Sequence, residues 1–269
     1  SIADGEDSHS EGWKTNAIGQ RSHAEGAKSI AKGGCSHAEG SLSKANDYAS
    51  HAEGDTTIAN SWASHAEGNK TAAFGSYAHA EGSSSNTLPS SIDVFSTIDE
   101  IIAAYDSTKF ALAKGHSSHT EGSNTLALEA YSHAEGQTTI ASGMGAHAEG
   151  YSTKASGLYS HAEGCSTIAS ADYQHVQGKY NVEDTTSLHI VGNGTPIKRS
   201  NAHTINNSGE AWFAGDVYVG GTGGYIDEEG NHHTTFTLRE MTGRDEEAIA
   251  KSDVKQNGAK LIATLLERC

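Results

Sequence analysis

His37-Ala38-Glu39-Gly40, His51-Ala52-Glu53-Gly54 and His65-Ala66-Glu67-Gly68 are three copies of one tetrapeptide, each fourteen residues after the last. The spacing extends back to His23 and His9 and forward to His79. After one interruption it resumes at His119, His133, His147, His161 and His175. The one irregular step, from 79 to 119, is a single period plus 26 residues. A short fixed period of this kind marks a solenoid, in which each repeat packs only on its neighbours.

With the His as position 0, the other columns follow. Position +1 is nearly always Ala and position +3 is always Gly. Position +2 is Glu in ten rungs and Gln177 in the last. Position +6 is mostly Thr or Ser (Thr15, Ser29, Thr57), position +8 is Ala in every complete rung (Ala17 to Ala169), and position +10 is often Gly (Gly19, Gly33, Gly143). Fourteen residues are too few for a pair of helices but suffice for two strands of about five residues and two tight turns. Small residues alternate with larger ones, which is strand periodicity. The Gly columns fit turns that need φ > 0 or close backbone approach, with Asn46-Asp47 and Asn60 substituting where Gly is missing. No large side chain recurs at the Ala and Thr columns, so these face a thin interior, and the His and Glu columns point outward. So narrow an apolar interior is a weak drive against chain entropy, at about 25 cal/mol per Å². A second burial surface is expected, and self-association is the simplest source.

The chain has 269 residues, 31 Gly, 2 Pro and 7% aromatics, a composition suited to a repetitive β structure rather than one large core. Its net charge of −16 argues against nucleic acid as a partner. No apolar run is long enough to insert in a membrane, and no signal peptide is visible. Ser1 lies close to the first rung, which suggests a fragment or a processed product. Cys35, Cys165 and Cys269 have no metal or disulfide spacing and read as free.

Taken in order, residues 1–82 are rungs and 83–108 an insertion. Within the insertion, Ile92, Phe95, Ile98, Ile101 and Ile102 have helical spacing, which predicts a short amphipathic helix over about 92–106. Phe95, Ile98, Ile101 and Ile102 are candidate contacts for a partner protein, since repeat proteins commonly place insertions on a binding face. Residues 109–178 are the remaining rungs. The last, Gln174-His175-Val176-Gln177-Gly178, has lost Ala and Glu, as a capping repeat does. Residues 179–221 read as a small β cap with a hairpin signal at Asn206-Asn207-Ser208-Gly209. Residues 222–235 read as a linker and 236–269 as a helical tail.

Ser-His-Ala-Glu-Gly followed by Thr-x-Ala-x-Gly is similar to the 14-residue repeat of trimeric autotransporter adhesin heads, where the matching element reads roughly Ser-Val-Ala-Ile-Gly. That resemblance covers about residues 1–178. It implies a left-handed parallel β-roll with three chains side by side. It departs where Val and Ile become His and Glu. Together with His189-Ile190-Val191-Gly192-Asn193-Gly194 and Trp212-Phe213-Ala214-Gly215-Asp216-Val217, the variant resembles tail-fibre and neck-appendage proteins of bacteriophages and prophages. In those proteins such segments lead into or belong to an autocleaving intramolecular chaperone domain. Residues 238–247 are weakly similar to small phage tail or baseplate assembly proteins.

The His and Glu columns are the candidate site. Two residues apart on a strand, they share one face. In the adhesin-like arrangement this face meets the three-fold axis. That implies a trimer-axis ladder of His23 with Glu25, His37 with Glu39, His51 with Glu53, His65 with Glu67, His133 with Glu135, His147 with Glu149 and His161 with Glu163. Three competing readings are a solvated face, a metal column of three-His rings and a catalytic site. The last is disfavoured because catalytic constellations are single and asymmetric; no catalytic, cofactor or metal residue is assigned. His ionised and paired with Glu across the axis would have a raised pKa and lose its stabilisation as pH rises; His buried neutral would instead let acid loosen the assembly.

The expectation is therefore an all-β parallel solenoid, homotrimeric, with a β cap and helical tail. It would serve as a stiff structural rod in a phage or phage-like virion, or extracellularly, partnered by its own copies, by other virion proteins and by a host-surface receptor. A host-binding adhesin is one alternative. An autoprocessing appendage is another, with Ser200-Asn201, Asn206-Asn207-Ser208 or Ser252-Asp253 as places for a cut.

Overall fold

A computed structural model describes residues 1–84 and 111–215, together with the strands Tyr225–Ile226 and His232–His233. The predicted insertion helix, with Phe95, Ile98, Ile101 and Ile102, and the predicted helical tail lie outside the described residues. The chain divides into two compact units, 1–211 and 212–269. Of the second, the strand pair Tyr225–Ile226 and His232–His233 is antiparallel.

The first unit is a parallel β-solenoid of about 12 turns, with no helix among the described residues. Each rung gives one strand to each of two sheets. One sheet has 11 strands, from β1 (Ile2–Ala3) and β3 (Asn16–Ala17) through to β21 (Ile168–Ala169). The other has 14, starting at β2 (His9–Ser10) and β4 (His23–Ala24). Register is fixed at one period throughout: His37 pairs with His51, Glu39 with Glu53, Ala45 with Ala59.

The inside follows the columns. Ala24, Ala38 and Ala52 at +1 and Ala17, Ala31 and Ala45 at +8 are fully buried, as are Thr15, Ser29 and Thr57 at +6. The Ser before each His is also inward: the Ser36 and Ser118 hydroxyls donate to the Gly33 and Gly115 carbonyls at 2.6 and 2.7 Å. A period of 2 explains why −1 and +1 are buried while 0 and +2 are not.

The turns use their residues in a way the glycines alone do not reveal. Gly at +3 has positive φ, 112° at Gly54. Gly at +10 does not; it is needed for closeness, since a Cβ on Gly19 would lie 2.0 Å from the Gly33 carbonyl oxygen. The other left-handed positions, −2 and +5, are held, Gly145 apart, by non-glycine residues such as Arg21, Cys35, Ala49 and Ala63, and Lys28, Leu42 and Thr56. Each costs roughly 1–2 kcal/mol relative to the right-handed region. The offset is visible in the hydrogen bonds: Cys35 N donates to Gln20 O at 2.8 Å and Lys28 N to Trp13 O at 2.8 Å, so turn amides are paired along the stack as strand amides are. Asn46 and Asn60 are not left-handed substitutes for Gly. They form a side-chain ladder, Asn46 Nδ2 donating to Asn60 Oδ1 at 3.0 Å.

Rung register runs past the start of the insertion read from the sequence. Ser83 bridges Asn69 and Ser123, Ser84 N donates to Asn69 O, and the next described residue, Ala111, pairs with Thr71. At the far end, the altered rung at 174–178 closes the interior. Gln174 is buried, its Oε1 accepting from Ser170 N and its Nε2 donating to Asp184 O at 2.6 Å and Ser187 O at 2.7 Å. Asn181, also buried, accepts from Ile168 N and donates to Ile168 O, standing in for a next strand at the edge of the 11-stranded sheet. The other sheet continues for one more parallel strand, β23 (Ser187–Asn193), in which His189 pairs with His175 and Gly192 with Gly178. This is a twelfth rung inside the segment read as a cap. Only then does the chain reverse, into the antiparallel β24 (Asn201–Asn206). The predicted turn follows it: Gly209 has φ 83° and Asn206 N donates to Glu210 O at 2.9 Å.

Candidate functional site

One face of the 14-stranded sheet carries a continuous column of imidazoles beside a column of carboxylates. Adjacent rings from His23 to His161 stack at 4.6–4.9 Å, nearly parallel in the middle of the column, as in His65 over His79 at 4.7 Å and 0°. The strand spacing dictates this, because identical residues in register repeat at the inter-strand distance. All fourteen residues assigned to the ladder from the sequence lie in this face. His9, His79, His119 and His175 complete it, and His189 extends it, its ring 5.4 Å from that of His175.

From His23 to His161 each His lies between two Glu side chains. Nε2 of His161, His79 and His147 reaches the carboxylate of the preceding rung, Glu149, Glu67 and Glu135, at 3.2, 3.3 and 3.4 Å. His23 stands 4.0 Å from both Glu11 and Glu25. About one third of each side chain is exposed, as for His65 and Glu53 at 33% and 31%. The Nε2 atoms themselves are closed off from solvent. In His23, His37, His51, His65, His79, His119, His133 and His147 they have no hydrogen-bond partner.

The electrostatics are set by stacking like groups. Burial, then the adjoining imidazoles, hold His37 and His65 below the ordinary histidine value; the same holds for His119, His133 and His147. The glutamates alternate. Hydrogen bonds with Glu67 and Glu39 push Glu53 up to about 7, hydrogen bonding to Glu67 and burial do the same for Glu81, and hydrogen bonding to Glu121 and burial for Glu135. Glu39, Glu67 and Glu121 between them are drawn down by hydrogen bonds with Glu53, Glu53 and Glu135 respectively. Raised and lowered carboxyl groups therefore alternate along the stack. Within one chain His37, His65, His119, His133 and His147 therefore favour the neutral imidazole. Their stabilisation is present above the unfolded value of about 6.5 and is lost as pH falls through the lowered folded values.

A second surface lies on the turn before each His. Tyr48, Trp62, Tyr77, His116 and Tyr131 form an unbroken row of rings with centroids 5.5–6.3 Å apart, and its Tyr and Trp members are about half exposed. Tyr159 and Tyr173 continue it after a break. This row was not evident from the repeat, because the aromatic residue slides between positions +11 and +12; the signal was the recurrence of Tyr or Trp two or three residues before the His.

Cys35 and Cys165 are free. Of the places considered for a self-cleavage site, Ser208 sits exposed in the turn after β24, and the Ser200 hydroxyl donates to Asn193. Among the described residues no helix is long and apolar enough to cross a membrane. The chain matches no protein-family model, and no curated protein is significantly similar to it.

Proposed function

We propose that the chain is a structural component of a phage or phage-like virion, in an appendage, fibre or tail, where it acts as a stiff rod that spaces or presents other parts. In this reading the coil is left-handed and three copies lie side by side, with their His and Glu columns facing the three-fold axis. The observation that carries it is the face itself: half-buried His and Glu pairs repeated from rung to rung, with imidazole nitrogens that are sealed from solvent and, in eight rungs, make no hydrogen bond within the chain. A neighbouring copy in the same register supplies matching groups at every level, and satisfied polar networks fix register between chains. The thin Ala, Ser and Thr interior adds weight, since so little apolar burial leaves a single coil short of stabilisation. Light scattering of the full chain tests it. A mass three times the 28.0 kDa of one chain is the expected result, and a monomer at micromolar concentration overturns the trimer.

The aromatic row favours a second reading, a rod that also binds a host surface glycan or protein. Exposed, stacked Tyr and Trp offer large amphipathic contact area at low entropic cost. Replacing Trp62 and Tyr77 with Ala would abolish adhesion to host cells without changing the mass of the assembly; unchanged adhesion removes this reading.

A further inference from the structure

We infer that the His and Glu columns form a line of binding sites for a divalent transition metal ion such as Zn²⁺, each built from one imidazole and the two carboxylates that flank it. The clearest members are Glu25, His37 and Glu39; Glu39, His51 and Glu53; and Glu53, His65 and Glu67. These sites lie within one chain and do not rest on the trimeric reading.

Three observations converge. In each group one ligand atom from every residue lies within 4.8 Å of the others. The measured His-to-Glu separations include 3.8 Å for His37 to Glu39, 3.9 Å for His51 to Glu53 and 3.7 Å for His65 to Glu53. Three donors between 3.7 and 4.8 Å apart sit about 2.1–2.8 Å from their common centre, so a small rotation of the carboxylates brings them to the Zn–N and Zn–O range of about 2.0–2.2 Å. The second observation is the state of the imidazoles. Their Nε2 atoms are sealed from solvent, aimed at the carboxylates and without a hydrogen-bond partner. A buried nitrogen in that condition carries a desolvation cost that a bond to a metal removes. With Nδ1 protonated, Nε2 presents the lone pair that a metal requires. The third is charge. Ionising every carboxyl of the stack sets like charges side by side, and a dication between them offsets that repulsion.

The donor set selects the ion. Imidazole with carboxylate suits Zn²⁺, Co²⁺ or Ni²⁺, whereas Mg²⁺ prefers oxygen alone in octahedral geometry. Stoichiometry follows from sharing. Neighbouring groups hold a Glu in common, and one dication neutralises the carboxylates of two rungs. Eight groups of three His and Glu occur among the described residues, some, such as His119, Glu121 and His133, with two imidazoles and one carboxylate, so alternate filling gives about four ions per chain, with a water completing each tetrahedron.

The test uses the full chain with Cys35, Cys165 and Cys269 replaced by Ser, which removes thiolate ligands. Calorimetric titration with ZnCl₂ is expected to show saturable binding at about four ions per chain, at least about tenfold tighter than MgCl₂. Replacing His37, His51, His65 and His133 with Gln is expected to cut the number bound by about half. Should that variant misfold by circular dichroism, histidine ring ¹⁵N spectra of the unsubstituted ladder give the same answer: Zn²⁺ shifts Nε2 and leaves Nδ1 protonated. No saturable Zn²⁺ binding, undiminished stoichiometry in the folded variant, or unmoved ring nitrogens overturns the proposal. Light scattering with and without Zn²⁺ keeps the two readings apart. Monomers that bind Zn²⁺ remove the trimer alone, and trimers that bind none remove the metal alone.

Discussion

The coil has two outer strand faces, and they differ. On the 14-stranded sheet His and Glu recur at nearly every rung. On the 11-stranded sheet the position that points away from the coil's interior, +7, runs Asn16, Ile30, Lys44, Ile58, Ala72, Leu112, Leu126, Ile140, Lys154, Ile168, a row that is covered at Ile30, Lys44, Ile58, Ala72 and Leu126 and exposed at Lys154. That row changes size, charge and polarity from rung to rung without disturbing the register. Closing the coil therefore requires uniform inner columns and turns, and does not require a uniform outer face. The uniformity of the His and Glu face is left to be accounted for by what that face meets: its own copies, bound ions, or both.

The comparison can be broken at the turns first. Gly54→Ala places a Cβ about where the Gly68 carbonyl oxygen lies, at 2.1 Å, on a residue with φ 112°. A loss above about 3 kcal/mol is expected in denaturant unfolding, combining strain with the clash. Next comes the interior. Ala141→Leu overfills a column with 0% exposure and should cost about 1–3 kcal/mol. A neutral outcome would mean that the inner columns are less tightly specified than the outer face.

The two outer faces are then sharpened against each other. Replacing Glu53, Glu81 and Glu135 with Gln substitutes a permanent neutral amide for a carboxyl that titrates at about 7. A raised group contributes stability below its unfolded value of about 4.5 and loses it as pH rises through 7. The triple variant should melt on the order of 2 °C higher at pH 8 and gain nothing at pH 4. The same exchange at Glu39, Glu67 and Glu121, whose pKa values are lowered, should not stabilise at either pH. Gln177 already stands at this position in the eleventh rung, so the fold accepts the amide. The smallest effect is expected opposite: Lys154→Ala, at an exposed +7 position, should stay within about 0.5 kcal/mol.

The period, the two strands per rung and the inward columns were legible because each is a repeated residue type with one steric reading. Other features were not, for identifiable reasons. The left-handed positions −2 and +5 carry Arg21, Leu42, Thr56 and Tyr77, residues whose identity gives no hint of positive φ; there the stacked hydrogen bonds override local preference. The twelfth rung kept its His189 and Gly192 at the right spacing, but Ile190 replaces Ala and Val191 replaces Glu, so the tetrapeptide was hidden although the period was intact. Ile190 and Val176 take the +1 position fully buried, in the rungs where Gln174 and Asn181 close the interior. The ladder residues were legible as a set. Their raised and lowered carboxyl groups were not, since the shifts arise from carboxyl groups in neighbouring rungs, not from any one residue's local sequence.

One feature of the stack bears on how such a chain can change over generations. Strand pairing passes directly from Thr71 to Ala111 and from His79 to His119, although 26 extra residues intervene. The coil treats that segment as a detour between one rung's turn and the next rung's strand. Length and cargo are therefore separable variables. Duplication of fourteen residues moves everything beyond it by one strand spacing, about 4.8 Å, while a graft between positions +5 and +6 sets what is displayed at a chosen height. A gene encoding this rod can lengthen its reach and exchange its ornaments independently, provided each edit returns the chain to the register it left.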